Sequence, residues 1–398
     1  MRVLIAGAGI GGLTAALTLL NKGFDVAIYE RSLQLEEVGA GIQIGPNGTK
    51  VLYALGLGTA LAQAAFKPQA AEMRFGNSGR VIFSLPLGKT IEHRYHSPYL
   101  NIHRADLHRI LVDAVRQKAP NAIHLGYEVK ELYQTDTHVT LYFLNGESAQ
   151  GDILVGADGV RSVIRKELFD IEDGQFTGMA AWRMTVPSHR LPKNLVPPHA
   201  TVWVGANKHV VTYYLRGGEL VNLVGVVEQA DWPYDGWTCR GNKNDILTSY
   251  EGWHPIIRRI MEAGDETEYF QWALRELPPL VTWSKGRATL LGDACHAMLP
   301  FMAQGAVMAI EDAWVLAAKL AAYPQNIPKV LQQYEDTRKP RTTKVQATAR
   351  RNGQLYHQAT PSKQLLFYSP LWLVSRLTPH FFASQLDWLF AEDVTRIS

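Results

Sequence analysis

A glycine-rich segment near the start of the chain, Gly7-Ala8-Gly9-Ile10-Gly11-Gly12, has the spacing GxGxxG. Glycines at these positions allow a tight turn, a close approach of an anion to the backbone, and close packing of a helix on a strand. The free N–H groups at the start of a helix carry partial positive charge and attract phosphate. Gly7, Gly9 and Gly12 are therefore predicted to bind the pyrophosphate of a dinucleotide.

An acidic residue follows the glycine segment at the distance that such a site requires. Glu30 stands about 20 residues further on, at the end of a second β-rich run, and Arg31 follows it. A carboxylate accepts hydrogen bonds from ribose hydroxyls, and it repels a 2′-phosphate. We expect Glu30 and Arg31 to contact the dinucleotide, and Glu30 favours FAD or NAD over NADP.

The elements that position these residues are visible as short apolar runs. Val3 to Ala6 and Asp25 to Tyr29 have the character of buried parallel strands, and residues 13–21 repeat apolar side chains at helical spacing. Two further runs of buried-strand type lie at 152–156 and 287–291. The pattern predicts a parallel βαβ core whose strands are scattered along the chain.

The rest of the chain has a different pattern. Residues 176–277 alternate or cluster β-forming side chains, which is typical of antiparallel hairpins. Six of the ten tryptophans fall in this part, and they indicate either the core of a separate β-layer or an aromatic-lined pocket. A helical pattern runs from Val307 to Arg351. The tail from Leu365 to Phe390 is interrupted by Pro370 and Pro379, and we expect it to pack on the body or form a subunit contact.

Composition limits the classes of function. The chain has 40 Lys and Arg against 37 Asp and Glu, a net charge of +3, which argues against a broad basic surface for nucleic acid. Cys239 and Cys295 form no CxxC pair, and no compact set of His, Cys and carboxylates predicts a metal site. No uncharged apolar stretch reaches the ~18 residues of a membrane span, and no signal peptide precedes the first strand. We expect a cytoplasmic monomer or homodimer without a metal.

Later motifs indicate which dinucleotide is bound. Residues 152–162, DILVGADGVRS, and residues 291–296, LGDACH, resemble the paired DG and GD motifs of flavoprotein hydroxylases. Segments 39–47 and 103–107 extend the similarity over nearly the whole chain. The sequence resembles the single-component, FAD-dependent aromatic hydroxylases, particularly the salicylate, 3-hydroxybenzoate and 6-hydroxynicotinate hydroxylases.

The resemblance implies a mixed α/β (α+β) fold with a Rossmann-like FAD-binding domain, an inserted antiparallel β-sheet substrate domain and C-terminal helices. The FAD-binding domain is then discontinuous and comprises residues 1–70, 100–175 and 278–340. The substrate domain comprises residues 71–99 and 176–277, and residues 341–398 form the C-terminal helical region.

The resemblance also implies non-covalent FAD, with NADH or NADPH as a co-substrate that binds without a nucleotide-binding fold of its own. Asp293 is expected to bind a ribityl hydroxyl or, alternatively, to cap a helix, and Arg104 to lie along the flavin or in a surface ion pair. The loop before Val307 would present backbone donors to the reduced flavin. The remaining implied cofactor contacts are Gly41, Asp158, Gly305 and Ala306.

The implied reaction is hydroxylation of a small phenolic or hydroxylated heteroaromatic ring, foremost a hydroxybenzoate, with O2 and a C4a-hydroperoxyflavin. A base beside the phenol would make the ring more nucleophilic. His209 and Tyr213 share one face if residues 209–215 form a strand, and they are the candidate catalytic residues together with Gln304. Their alternatives are structural: a satisfied strand histidine and a loop-stabilising amide.

Two observations leave the substrate open. Gln43 stands where some similar enzymes have a histidine, which weakens the assignment to 6-hydroxynicotinate hydroxylases. No single cation for a substrate carboxylate stands out, although Arg183 and Arg216 are candidates. A decarboxylative hydroxylase of the 6-hydroxynicotinate type and a non-oxygenating FAD-binding oxidase or sensor are the alternative functions.

Overall fold

A computed structural model describes residues 1–35, 40–232, 238–265, 269–377 and 383–397. Its strands, in chain order, are β1 Arg2–Ala6, β2 Asp25–Glu30, β3 Gly41–Ile44, β4 Ala70–Phe75, β5 Val81–Pro86, β6 Leu100–His103, β7 Ile123–Leu125, β8 Val129–Gln134, β9 Val139–Phe143, β10 Ser148–Gly151, β11 Ile153–Gly156, β12 Gln175–Pro187, β13 His199–Gly205, β14 Lys208–Leu215, β15 Leu220–Glu228, β16 Thr238–Arg240, β17 Phe270–Glu276, β18 Ser284–Lys285 and β19 Ala288–Leu290.

The helices connect these strands and close the molecule at its C-terminal end. They are α1 Ile10–Asn21, α2 Pro46–Ala54, α3 Gly58–Ala64, α4 Gly88–Tyr95, α5 Arg104–Lys118, α6 Val163–Phe169, α7 Lys243–Ser249, α8 Pro255–Glu262, α9 Asp293–His296, α10 Gly305–Ala322, α11 Ile327–Tyr356, α12 Pro361–Leu377 and α13 Asp387–Phe390.

The predicted parallel core is present. Within the described residues it is a sheet in the order β18-β19-β11-β1-β2-β7, parallel except for the β18–β19 pair. The side chains of Val3, Leu4 and Ile5 are fully buried, as continuous apolar strands with covered faces must be. Helices α1 and α10 pack against each other beside this sheet. The carboxyl ends of β1, β2 and β11 therefore meet at one edge, which positions the loops that follow them.

The predicted antiparallel layer is also present, and it is larger than its hairpins alone. Within the described residues the sheet has the order β16-β17-β12-β15-β14-β13-β4-β5. The pairs are antiparallel except β13 with β4, which is parallel. The sheet thus combines residues 70–86 with residues 175–276. These observations confirm the expected fold class, while the exact domain boundaries stay a prediction.

The two faces of this second sheet have different partners. One face buries Trp182, Trp203 and Val210 against α7 and α8, so tryptophans do fill a core there. We call the other face the inner face; it carries Ala181 and Val226, which pack against Leu299, Phe301 and α11. The inner face is therefore directed towards the loop that precedes α10.

The C-terminal part is helical, as the sequence predicts. Helix α11 is 30 residues long and includes Pro340, and α12 continues through Pro370. Pro379 lies outside the described residues. The end of the chain packs back on the body, since Phe390 contacts the rings of Tyr95 and Tyr99. Among the described residues, no helix combines the length and the apolarity that a bilayer span requires.

Candidate active site

The glycine segment lies between the end of β1 and the start of α1. Gly7 has φ +101°, and a Cβ there would lie 2.5 Å from the carbonyl oxygen of Ala157. A Cβ on Gly12 would lie 2.1 Å from the carbonyl oxygen of Gly7, so both positions require glycine for packing. By contrast, a Cβ on Gly9 would have no neighbour within 4 Å. Gly9 therefore faces open space at the start of a helix.

The start of α1 is able to receive an anion. Its first turn contains no acidic residue, and no side chain caps its N-terminus. The first N–H groups of a helix lack partners within the helix, so they remain available to a ligand there. The predicted pyrophosphate site fits this geometry.

Glu30 lies at the end of β2, beside the glycine segment. Its Oε2 accepts a hydrogen bond from the backbone N–H of Ala8 at 2.8 Å, and its Oε1 accepts one from Ser32 at 2.9 Å. These bonds fix the carboxylate at the wall of the cleft described next, and each oxygen keeps a lone pair for a further donor. Arg31 is exposed and lines the same wall.

A cleft of about 550 Å³ is lined by the glycine segment and by residues as far along the chain as Pro300. Its lining residues come from both sheets and from the loops that follow their strands. Its walls include most of the predicted cofactor residues: Gly7, Gly9, Glu30, Arg31, Arg104, Asp158 and Asp293. Arg183, Trp272 and Arg275 line its far end.

The two aspartates of the DG and GD motifs have different environments. Asp158 is half-buried and accepts hydrogen bonds from Ser162 Oγ at 2.5 Å and from the Ile164 N–H at 3.1 Å. Burial raises the pKa of its carboxyl group in spite of these bonds. Its side chain therefore organises the start of α6, and the residue also lines the cleft. Asp293 is exposed in the cleft at the first residue of α9, where its carboxylate makes no hydrogen bond within the described residues.

Positive charge is concentrated at the far end of the cleft. The Arg183 guanidinium lies over the Trp272 ring, 5.0 Å from its centroid, and its Nε has no hydrogen-bond partner within the described chain. Burial, and then the nearby charge of Arg104, lower the pKa of Arg183 to about 10. Arg183 therefore stays charged at neutral pH. Arg216, the other candidate cation, is paired with Asp106 at 2.8 and 3.1 Å.

The loop before α10 is anchored to the body of the protein by a side-chain hydrogen bond. Ala303 in this loop has φ +52°, and α10 starts at Gly305. Gly305 and Ala306 are half-buried. Gln304 is buried, and its Oε1 accepts a hydrogen bond from Asn47 Nδ2 at 3.0 Å. Its Nε2 makes no hydrogen bond within the described residues, so contact between Gln304 and a substrate stays a prediction.

Beneath this loop lies a buried charge cluster that the sequence analysis did not predict, formed by His296, Glu311, Asp312, Arg338 and Arg341. Arg338 contacts Glu311 and Asp312 at 2.7 Å each, and His296 Nε2 lies 2.6 Å from Asp312. Arg341 also pairs with Glu311, at 2.8 Å. The sequence feature that could have revealed this cluster is the acidic pair Glu311 and Asp312 within the mostly apolar helix α10. Cys295, His296 and Asp312 are close enough to hold a metal ion, but Asp312 already pairs with His296 and Arg338.

His209 and Tyr213 lie on the inner face of β14, as their spacing predicts. Neither is among the residues that line the cleft. His209 is buried, with its Nδ1 2.7 Å from Nε2 of His357. Burial, and then His357, lower the pKa of His209 well below its ordinary value. Tyr213 packs beside the backbone of Gly41, where a Cβ would lie 2.6 Å from Tyr213 Cε2. Burial raises the pKa of Tyr213.

A row of residues across the inner face lies between these two side chains. Val202, Val211 and Val224 are paired across β13, β14 and β15, and Arg183 on β12 continues the row. All four are half-buried although they occupy the middle of a sheet. Open space therefore remains above this row, which we call the valine row. His209 and Tyr213 flank it on either side, and Arg183 closes one end.

Tyr99 also belongs to this region, although the sequence analysis did not identify it. Burial raises the pKa of its hydroxyl, and the hydroxyls of Tyr213 and Tyr356 interact with it electrostatically. Tyr99 comes from the segment before β6, far along the chain from β14. Such a contact depends on the tertiary structure alone and has no local sequence signal.

A sequence model of the family described as FAD binding domain matches residues 1–349. The chain belongs to this family. It is 34% identical over 392 residues to a 3-hydroxybenzoate 6-hydroxylase of Polaromonas naphthalenivorans (strain CJ2), covering 98% of this chain and 96% of that protein. It is 35% identical over 367 residues to a 6-hydroxynicotinate 3-monooxygenase of Pseudomonas fluorescens, covering 91% and 93%.

The solved structures agree with this assignment. A crystal structure of a variant HpxO of Klebsiella pneumoniae complexed with FAD superposes with a TM-score of 0.86 at 26% identity, covering 98% of each chain. The protein is thus an FAD-dependent aromatic hydroxylase. This confirms the expected cofactor, enzyme class and family.

The geometry fits FAD at several independent points. The open side of Gly9 and the uncapped start of α1 suit a pyrophosphate, and the fixed carboxylate of Glu30 suits a ribose. Asp293, whose carboxylate has no partner among the residues that the structure describes, suits a ribityl hydroxyl. When FAD is bound, it supplies the redox and oxygen-activating chemistry, and the protein supplies orientation and electrostatics.

Proposed function

We propose that this enzyme hydroxylates a hydroxybenzoate with NAD(P)H and O2, and that the aromatic ring binds above the valine row. The proposal rests on Arg183, a half-buried cation at the end of that row with no carboxylate partner in the described structure. A charge that is partly removed from water and has no counterion is costly. A substrate carboxylate would provide the missing partner.

The groups beside the valine row suit a phenol. With a carboxylate bound at Arg183, the ring of the substrate extends over Val224 and Val211, two aliphatic side chains that offer an apolar surface. His209 and Tyr213 then bracket the ring with a nitrogen base and a hydroxyl. Because burial keeps His209 uncharged at neutral pH, one of its ring nitrogens carries a lone pair to which a phenolic hydroxyl is able to donate. Deprotonation raises the nucleophilicity of the ring, and the surrounding apolar residues exclude water.

The first substrate to test is 3-hydroxybenzoate, which the name of the Polaromonas relative specifies. The FAD-loaded enzyme should be assayed for NADH and NADPH consumption with 2-, 3- and 4-hydroxybenzoate and 6-hydroxynicotinate. We expect a product that has gained one oxygen atom from at least one hydroxybenzoate. Hydrogen peroxide as the product with every compound would contradict the proposal.

A second candidate is decarboxylative hydroxylation of 6-hydroxynicotinate, which the Pseudomonas relative favours. Gln43 counts against this candidate, because it stands where some similar enzymes have a histidine. Its Nε2 lies 3.5 Å from Asn101 Oδ1. The same panel distinguishes the two, because decarboxylation removes CO2 as the oxygen atom is added. We further infer a cytoplasmic location, since Cys239 and Cys295 form no disulfide in the described part of the chain, as is usual in reducing compartments.

A further inference from the structure

Three side chains form a continuous chain of contacts from the inner face to the surface. His209 Nδ1 lies 2.7 Å from His357 Nε2, and His357 Nδ1 lies 3.0 Å from Glu228 Oε1. The exposed fractions are 1% for His209 and 7% for His357, whereas the Glu228 side chain is 47% exposed. The buried histidine beside the valine row is therefore connected to solvent through two titratable groups.

Three separate elements hold this chain of contacts in place. His209 pairs with Val226 across β14 and β15, so Glu228, two residues further, is on the same face of the sheet. His357 directly follows the last residue of α11. The ring of Phe301, centred 5.0 Å from that of His209, covers the histidine on the side of the loop before α10.

The charge of Glu228 determines where the protons reside. An ionised carboxylate only accepts, so His357 must donate from Nδ1 and present the lone pair of Nε2 to His209. His209 must then donate from Nδ1, which leaves the lone pair on its own Nε2. His209 Nε2 makes no hydrogen bond within the described residues. The surface carboxylate thus orders both imidazoles and prepares a base at the far end.

We propose that His357 and Glu228 form a proton relay that carries the phenolic proton of the substrate from His209 to solvent. The proposal rests on the function proposed above. The O–H bond of the phenol breaks and its proton binds His209 Nε2, while the Nδ1 proton of His209 passes to His357 Nε2. The Nδ1 proton of His357 passes to the Glu228 carboxylate and from there to water.

The same path operates in reverse when the hydroxylated product recovers a proton. Each imidazole then regains the proton position from which it started, so the relay is reset without any ring rotation. His209 is the catalytic residue, and His357 and Glu228 act through it.

Few other groups compete for these protons. Burial lowers the pKa of both histidines, although Glu228 opposes this effect at His357. Tyr356 packs against His209 from α11, and burial raises its pKa to about 12, so it stays neutral. The hydroxyl of Tyr250 donates to the backbone carbonyl of His209 from the opposite side of the sheet, and its pKa is also raised by burial. Glu228 is therefore the group that supplies charge to the relay.

The relay is testable at Glu228, where the exposed side chain makes a folding defect improbable. In Glu228→Ala, an indicator dye should show proton release on 3-hydroxybenzoate binding slowed at least about tenfold, and hydroxylation slowed with it. Flavin reduction by NADH should keep its rate. Acetate should restore proton release, since it is able to occupy the vacated position. The matched control is Glu219→Ala, an exposed acidic residue at the other end of the β14–β15 hairpin, which should behave as the wild type.

A second readout needs no substrate. The 15N chemical shifts of the imidazoles should show His209 as the neutral tautomer protonated at Nδ1 in the wild type, and a mixture of tautomers in Glu228→Ala. A wild-type His209 protonated at Nε2, or unchanged tautomers in the variant, would overturn the relay. Absence of any oxygenated product from the wild type contradicts the proposed function instead, so the two failures are distinguishable.

Discussion

In the proposed function, Arg183 is the residue on which substrate recognition depends most directly. It is half-buried, stacked on Trp272 and without a carboxylate partner in the described structure, so its charge is available to a ligand. A hydrogen bond to a charged partner contributes about 1.5–3 kcal/mol, which corresponds to roughly 10- to 150-fold in affinity. Arg183→Gln should raise the KM for a hydroxybenzoate by a factor in this range.

The matched control is the uncharged substrate analogue 3-hydroxybenzamide. Because it offers no carboxylate, its KM should be nearly the same in wild type and variant. Equal losses with the acid and the amide would show that Arg183 acts on the flavin or on the fold rather than on the substrate charge.

Glu30 allows a similar test of the cofactor site. Its carboxylate accepts hydrogen bonds from the N–H groups of Ala8 and Ser32, so its loss would change the shape of the glycine segment as well as remove the predicted contact with the ribose. Glu30→Ala should lose most of its FAD on dialysis, measured as the ratio of flavin to protein absorbance. Asp25→Ala removes an exposed charge from the other end of β2 and should retain its flavin. Full retention by Glu30→Ala would contradict the assignment.

At the scale of single residues, the sequence predicted what local spacing encodes. Gly7, Gly9, Glu30 and Asp293 follow motifs whose geometry is set within a few residues, and each lines the cleft. The partner of His209 was not predictable in this way, because His357 is 148 positions away. Contacts of that range arise from the packing of α11 on the sheet and leave no periodic signal.

At the scale of elements, the buried charge cluster joins α10 to α11 beneath the loop that precedes α10. Burial alone would raise the pKa of Glu311 and Asp312, but the pairing with Arg338, Arg341 and His296 lowers both pKa values below the ordinary range. Arg341 also donates to the carbonyls of Trp388 and Leu389, which ties the end of the chain to the same cluster.

Removal of Arg338 should therefore be severely destabilising, because it leaves two buried carboxylates without their shared partner. We expect Arg338→Ala to lower the free energy of unfolding by about 3–5 kcal/mol at pH 7, measured by urea denaturation. Arg350→Ala, which breaks an exposed pair with Glu276, should cost less than about 1 kcal/mol. Similar losses in the two variants would contradict this account.

The cluster also predicts a pH dependence of stability. Since the pKa values of Glu311 and Asp312 are lower in the folded chain than in the unfolded chain, their pairing stabilises the fold above about pH 4. That contribution is lost as the pH falls through the lower folded values. The difference in stability between wild type and Arg338→Ala should thus shrink towards pH 3.

Helices and strands were predictable from the sequence where a continuous or periodic run of apolar residues extends over the whole element. The strands at 2–6 and 25–30 and the helix α10 follow continuous or periodic apolar runs. The association of residues 70–86 with the second sheet was expected from the resemblance, whereas their parallel pairing with β13 was not. Strand order and direction depend on long-range contacts, and alternation along a strand does not encode them.

At the scale of the whole molecule, the cofactor cleft lies between the two sheets, so FAD would contact residues from both. Wall residues such as Gly9 and Asp158 follow strands of the parallel sheet, whereas Arg183 and Trp272 belong to the other. A ligand that binds only the folded state stabilises it by mass action, by about 2.7 kcal/mol at 100 times its Kd.

Removal of FAD should consequently lower the thermal midpoint, and added FAD should restore it in a concentration-dependent manner, as calorimetry would show. NADH without FAD should produce a smaller shift, because the chain contains one dinucleotide-binding glycine segment. Identical midpoints for the apo and FAD-loaded enzyme would contradict a site formed between the sheets.

The parallel pairing of β4 with β13 has a consequence for modular engineering. Strands β4 and β5 come from a loop of the first half of the chain, yet they complete the sheet that the later strands build. A chimera that exchanges only residues 175–276 with a related hydroxylase would keep the old β4–β5 edge against a foreign β13. Successful recombination must therefore transfer residues 70–86 together with residues 175–276.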